Sequence, residues 1–99
     1  MKVVFTSEAE ADLESIGDYL ATESPSQALA FVQGLRAHCE KLSDLPKRFP
    51  LVPQHETSGV RRMVHGNFLV FYRVSTETVD VLHILHGARD YEPILFPTE

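Results

Sequence analysis

What this sequence lacks excludes several classes of protein. Cys39 is its only cysteine, so no internal disulfide can staple the fold, in keeping with a reducing compartment. No apolar run approaches the length of a membrane span. The opening "MKVVFTSEAEADLE" turns acidic after three apolar positions, so neither a signal peptide nor a membrane anchor is expected and the setting is read as cytoplasmic. Repeats and low-complexity tracts are missing. Gly66 and Gly87 belong to no phosphate-cradling loop and Gly17 and Gly34 fall in helix-like segments, so no cofactor is expected.

Positive charge is also scarce. The formal net charge is −5 and the sequence pI about 5.5, which argues against direct nucleic-acid binding through a basic footprint. Residues 1–24 carry six acids against Lys2 alone, whereas residues 46–73 carry Lys47, Arg48, Arg61, Arg62 and Arg73 against Glu56. An acidic end and a basic face follow.

The 99 residues are enough for one domain that buries roughly 60–65% of its unfolded surface. "KVVFT" has β propensity. Ser7 with Glu10 reads as a capping box, and Ala9, Leu13, Ile16 and Leu20 recur as one apolar helical stripe. "SPSQ" starts a second helix with Ser24 as N-cap, Pro25 at the first position and Gln27 completing a second capping box. Its stripe is Ala28, Val32, Leu35, Cys39 and Leu42, widened by Phe31, and it should stop near Leu45 because Pro46 disfavours the α region before it. The short link makes the two helices an antiparallel hairpin.

"PKRFPLVPQHETSG" holds three prolines and reads as an irregular connection. Then come "VRRMVH", the turn pair Gly66-Asn67, "FLVFYRV", a turn at "STET" and "VDVLHILH", a three-stranded meander. Runs 68–74 and 79–85 are apolar on both faces and are predicted to be central strands, with the helices covering one face. The expected fold is α+β: a single domain over residues 1–99, with an N-terminal strand and a helical hairpin packed on a mainly antiparallel sheet, in the order β-α-α-β-β-β.

Chemistry-bearing groups are few. His83 and His86 stand three apart on a strand, which sends them to opposite faces and denies them a shared metal without a bulge. A hydrogen-bonded core His83 and a partly exposed His86 are expected, and no metal site. Cys39 lies on an apolar stripe, where a thiol acts as a small hydrophobe, and no serine sits in a nucleophile elbow. Arg61 and Arg62 must point to opposite faces, leaving at least one exposed beside Arg73 or the loop cations Lys47 and Arg48. For Arg89 and Asp90 two readings stay open: a local ion pair that orders the tail, or a partner contact.

The hairpin "ADLESIGDYL" with "SQALAFVQGLRAHCEKLSDLP", then "GVRRMVHGNFLVFYRV" and the closing "VLHILHGARD" together resemble the RelE/ParE superfamily of type II toxin–antitoxin toxins over nearly the whole chain, and most of all its ParE branch. The resemblance implies a cognate ParD-like antitoxin of the ribbon-helix-helix class as partner. ParE toxins are associated with poisoning DNA gyrase, RelE toxins with cutting mRNA in the ribosome. On the RelE-type ribonuclease pattern, the second-strand cation survives as Arg62, but the third-strand arginine falls at Leu69, the C-terminal arginine at Tyr91 and the terminal tyrosine near Leu95. Phosphoryl transfer to a 2′-hydroxyl needs a base, an acid and cations on the phosphate, so no catalytic residue is assigned. The resemblance points to a non-enzymatic gyrase inhibitor, with a ribosome-dependent ribonuclease or a non-toxic antitoxin partner as alternatives. The candidate contacts for target or antitoxin are Arg61, Arg62, Arg73, His86, Arg89, Asp90 and Tyr91. The acidic first helix, with Glu10, Glu14 and Asp18 at like-charged i, i+4 spacing, departs from the basic character of many such toxins and suits a partner with basic groups, or solubility.

Overall fold

The computed structural model describes residues 1–98. Strand β1 (Lys2–Phe5) leads into helix α1 (Ser7–Ala21), then α2 (Pro25–Glu40), a 3₁₀ turn at Lys41–Ser43 and another at Glu56–Ser58, strands β2 (Val60–His65), β3 (Phe68–Val74) and β4 (Thr78–His86), and a last short helix α3 (Glu92–Leu95). The sheet order is β1-β4-β3-β2, with β1 parallel to β4 and the other pairs antiparallel. The α+β order and the central placement of β3 and β4 match the expectation from sequence.

The helical stripes pack as their periods require. Ala9, Leu13 and Ile16 from α1 and Leu35, Cys39 and Leu42 from the second helical segment are buried against Met63, Val70, Tyr72, Val79, Val81 and Ile84. Gly17 lets the helices approach: a Cβ there would lie 3.3 Å from Val32 Cγ2. The opposite sheet face is also apolar, and Val52, Val60, Phe71 and Leu85 are buried there under Tyr91, Ile94, Leu95 and Phe96. A sheet covered on both faces explains why β3 and β4 show no simple polar alternation.

Local start signals fared unevenly. Ser24 Oγ accepts from Gln27 N at 3.4 Å, as expected of an N-cap. The N-cap of α1 is Thr6, not Ser7: its Oγ1 accepts from Ala9 N at 3.1 Å while its single proton is shared between the carbonyls of Val81 and Leu82, at 2.9 and 3.0 Å. Glu10 does not reach back to close a capping box, because Arg36 from α2 holds its carboxylate, Nη2 to Oε1 at 2.6 Å. The second helix leaves α geometry at Glu40, earlier than Leu45, and its last turn tightens to 3₁₀.

β1 pairs β4 only as far as Phe5 opposite Val81. Beyond that point the exposed edge of β4 is closed by α1: Asp12 Oδ2 accepts from Ile84 N–H at 2.8 Å and bonds His83 Nδ1 at 2.8 Å. The register on β3 also slips here, with Tyr72 opposite Val81 and Phe71 opposite His83, which is a β-bulge. Asp12→Ala would leave a largely buried amide unpaired, at about 1–3 kcal/mol. At about 4–8 °C per kcal/mol for a domain of this size, a thermal melt should fall by several degrees, while Asp12→Asn, which retains an acceptor, should lose less and Glu14→Ala almost nothing.

Candidate functional site

The residues singled out in the sequence divide among three places. Arg61 lies on the helix side of the sheet, and its Nη1 donates to the carbonyls of Lys47 and Phe49 at 3.1 and 2.7 Å. It ties down the proline-rich connection. Arg62 faces the other way, as alternation predicts, and its Nη1 donates to the Tyr91 hydroxyl at 3.3 Å. Arg73 is its diagonal neighbour on that outer face and stands directly across from Asp80.

Tyr91 is half-buried, its ring 4.8 Å from that of Phe71. The C-terminal segment is fixed further along by His55, which stacks on Phe96 at 3.8 Å and bonds Glu92 Oε2 through Nε2 at 2.6 Å. Nothing about its place in an irregular loop marked His55 for this role. The outer face is therefore an apolar patch closed by a strap, with Arg62 and Arg73 at its margin.

His86, Arg89 and Asp90 lie elsewhere. His86 and Arg89 line a cleft of about 400 Å³ beside α1, floored by Ile16, Phe68 and Ile84. The bulge carries His86 to the helix side, and Phe68 meets its ring edge-on at 5.4 Å. His83 remains on the other face, so the two imidazoles do not converge. Arg89 and Asp90 form no ion pair with each other: Asp90 Oδ1 accepts from Glu92 N at 3.3 Å and supports the start of α3, whereas Arg89 is exposed at the cleft. The four arginines thus do not gather into one face, because sheet alternation separates Arg61 from Arg62 and the turn after β4 carries Arg89 to the α1 side.

Two further groups bear on reactivity. Cys39 is fully buried, and burial pushes its thiol up to about 12, so it stays protonated and inert at neutral pH. His38 and His65, which sequence spacing gave no reason to pair, join α2 to the end of β2 with their Nδ1 atoms 2.8 Å apart. Burial, then His65, and then the cations Lys41 and Arg48 hold His38 below its ordinary value of 6.5. One ring must donate and the other accept, so double protonation breaks the bond.

A depressed folded value means that the unfolded chain binds the extra proton first. The stabilisation is present above about pH 6.5 and declines as the pH falls through that value toward the folded one. Urea midpoints measured between pH 7.5 and 5.5 should therefore drop, and His38→Gln should flatten the slope.

The comparisons with known proteins agree with this architecture. The family described as "ParE toxin of type II toxin-antitoxin system, parDE" matches residues 3–91. A relative named Toxin RelE2, from Caulobacter vibrioides, is 32% identical over 89 residues, covering 89% of this chain and 97% of its own length. Among solved structures, the chromosomal ParDE system from P. aeruginosa aligns with a TM-score of 0.75 at 27% identity, over 87% of this chain and 95% of that one. The RelBE2 toxin–antitoxin complex from Mycobacterium tuberculosis shares the fold, with a TM-score of 0.64 at 23% identity over 89% of this chain and 92% of that one. With the family pattern running from the first strand to Tyr91 and the same topology in both solved relatives, the chain belongs to the ParE toxin family of type II toxin–antitoxin systems.

Proposed function

We propose that this chain is the toxin of its module, acts in the cytoplasm by binding DNA gyrase through protein–protein contacts, and is silenced by a ParD-like antitoxin. The observation that carries the reading is the outer sheet face. Leu69 and Leu95 pack there against Val52, Val60, Phe71 and Leu85, in the positions where the ribonuclease pattern asks for a cation and a hydroxyl. The third-strand cation and terminal hydroxyl of the ribonuclease pattern are therefore missing, which supports binding over phosphoryl transfer.

The ribonuclease reading keeps two supports. One is the relative named Toxin RelE2; the other is the Arg62–Tyr91 hydrogen bond, which places one cation and one phenol side by side. Induced expression without an antitoxin separates the two. Filamentous cells, a DNA-damage response and breaks that depend on gyrase are expected; rapid cleavage of translated mRNA with intact chromosomal DNA would overturn the gyrase assignment.

The antitoxin reading rests on the helical hairpin. A groove of about 470 Å³ runs between α1 and α2, with Leu13, Ala28, Leu29 and Val32 inside and Glu10, Glu14 and Asp18 along its rim. Leu29 is 60% exposed, an unfilled anchor for a segment that folds on binding. Such a segment would be an apolar helix or strand with basic residues beside the rim. The protein encoded next to this chain should raise its melting temperature, by about 2.7 kcal/mol of added stability at one hundred times Kd. No shift at saturation would reject that partner.

A further inference from the structure

Helix α1 is a ridge between two hollows of unlike character. On one side lies the groove shared with α2, rimmed by acids. On the other is the cleft at the ends of β3 and β4, where Ile16, Phe68 and Ile84 make an apolar floor and Tyr19, His86 and Arg89 stand around it. Tyr19 is 75% exposed, a large aromatic left without cover. The carboxylate of Asp12 also reaches this cleft, but its Oδ2 is already engaged by Ile84 N–H and His83.

Of the remaining polar groups, the hydroxyls of Ser15 and Tyr19 can donate or accept, and Arg89 and His86 supply donors. Among the described residues Arg89 lies within ion-pair distance of no carboxylate, whereas Arg36 is held by Glu10. Ala88 N–H donates to His86 Nδ1 at 3.1 Å, so the neutral imidazole carries its proton on Nε2 and presents a second donor. A guanidinium accepts nothing and matches a carboxylate in two parallel bonds. An apolar floor beside that donor pair is complementary to a carboxylate carried next to a hydrophobic side chain. The volume of about 400 Å³ has room for one or two residues.

We propose that this cleft receives an acidic residue adjacent to an aromatic or aliphatic one on a segment of a protein partner, which gives α1 opposite charge preferences on its two sides. The identity of the partner rests on the antitoxin reading, whereas the chemistry of the cleft does not. A single segment that wraps α1 would then carry basic residues for one side and an acidic one for the other, and this pattern would select its own toxin against unlike ones.

The test uses three dipeptides, N-acetyl-Phe-Glu-amide, N-acetyl-Phe-Gln-amide and N-acetyl-Phe-Lys-amide, titrated into the full-length ¹⁵N-labelled protein. The Glu peptide should shift the backbone amides of Tyr19 and of residues 85–89 and saturate, and the Gln peptide should bind about tenfold more weakly, as expected for the loss of a charge-assisted bond. The Lys peptide should move resonances near Glu14 and Asp18 instead. Arg89→Gln should remove the preference for Glu over Gln. If that variant fails to fold, roughly 0.5 M salt added to the unmodified protein should reduce the same preference, because the cleft is open to solvent. Equal binding of the Glu and Gln peptides, or an unchanged preference in Arg89→Gln, would overturn the proposal. Adenosine monophosphate binding here more tightly than the Glu peptide would assign the cleft to a nucleotide and overturn it too. These outcomes hold whether or not any antitoxin raises the melting temperature, so failure here and failure of the antitoxin reading are distinguishable.

Discussion

β4 has a parallel neighbour for only half its length, and the way its remaining edge is closed governs the rest of the molecule. A strand edge left open inside a folded domain leaves backbone donors and acceptors without partners, and the chain must supply substitutes. Here the substitutes come from the segment that follows β1. Thr6 takes the carbonyls of Val81 and Leu82, and Asp12, from the second turn of α1, takes the amide of Ile84. Two side chains therefore set where α1 starts, how it crosses the sheet and how close it sits to β4. The bulge occurs at the same point, where a regular ladder on one side gives way to side-chain contacts.

The bulge has consequences further along the strand. Before it, Val79 and Val81 face the helices; after it, Ile84 and His86 do, and Leu85 turns to the outer face. Strict alternation from Val81 would have sent His86 outward and left the cleft beside α1 without its imidazole. The same slip aligns Leu85 with Val60 and Phe71 in the outer cluster. That cluster has no long helix to cover it, and the four residues of α3 with their neighbours suffice because His55 pins the segment by both a ring stack and a hydrogen bond. Holding the strap in place draws Tyr91 over Phe71 and engages Arg62.

The sequence was informative wherever a local period or turn decided the outcome. Gly66, with φ of +57°, supplies the conformation that a tight hairpin needs, and the hydrophobic stripes of both helices are buried as their spacing required. It was uninformative where two distant groups compete for one. The Ser7–Glu10 capping box is a sound local pattern, yet Thr6 could cap α1 and bond β4 at once, and Arg36, 26 residues away, was the stronger partner for Glu10. Asp12 looked like one more acid in an acidic helix, since nothing in its neighbourhood shows that an amide on β4 lacks a partner. The arginines could be assigned to faces by alternation, but whether they gather depends on the turn after β4, which residue spacing does not describe.

Asp12 apart, the charges on α1 place few demands on the fold itself. The ladder of Glu10, Glu14 and Asp18 costs a few tenths of a kcal/mol per like-charged pair, and α1 has no basic residue in its last turn to favour the helix dipole. Arg36 offsets part of this at Glu10, whose carboxyl it holds below the ordinary value, but the pair is half-exposed and contributes within about 0–1 kcal/mol. Burial of Leu13 and Ile16, at about 1.5–3 kcal/mol each, outweighs these terms. Stability thus fixes one side of α1 and leaves the acids free to vary at little energetic expense. A surface that folding does not constrain can be shaped by what binds it, and here such a surface borders the exposed apolar groove of the hairpin.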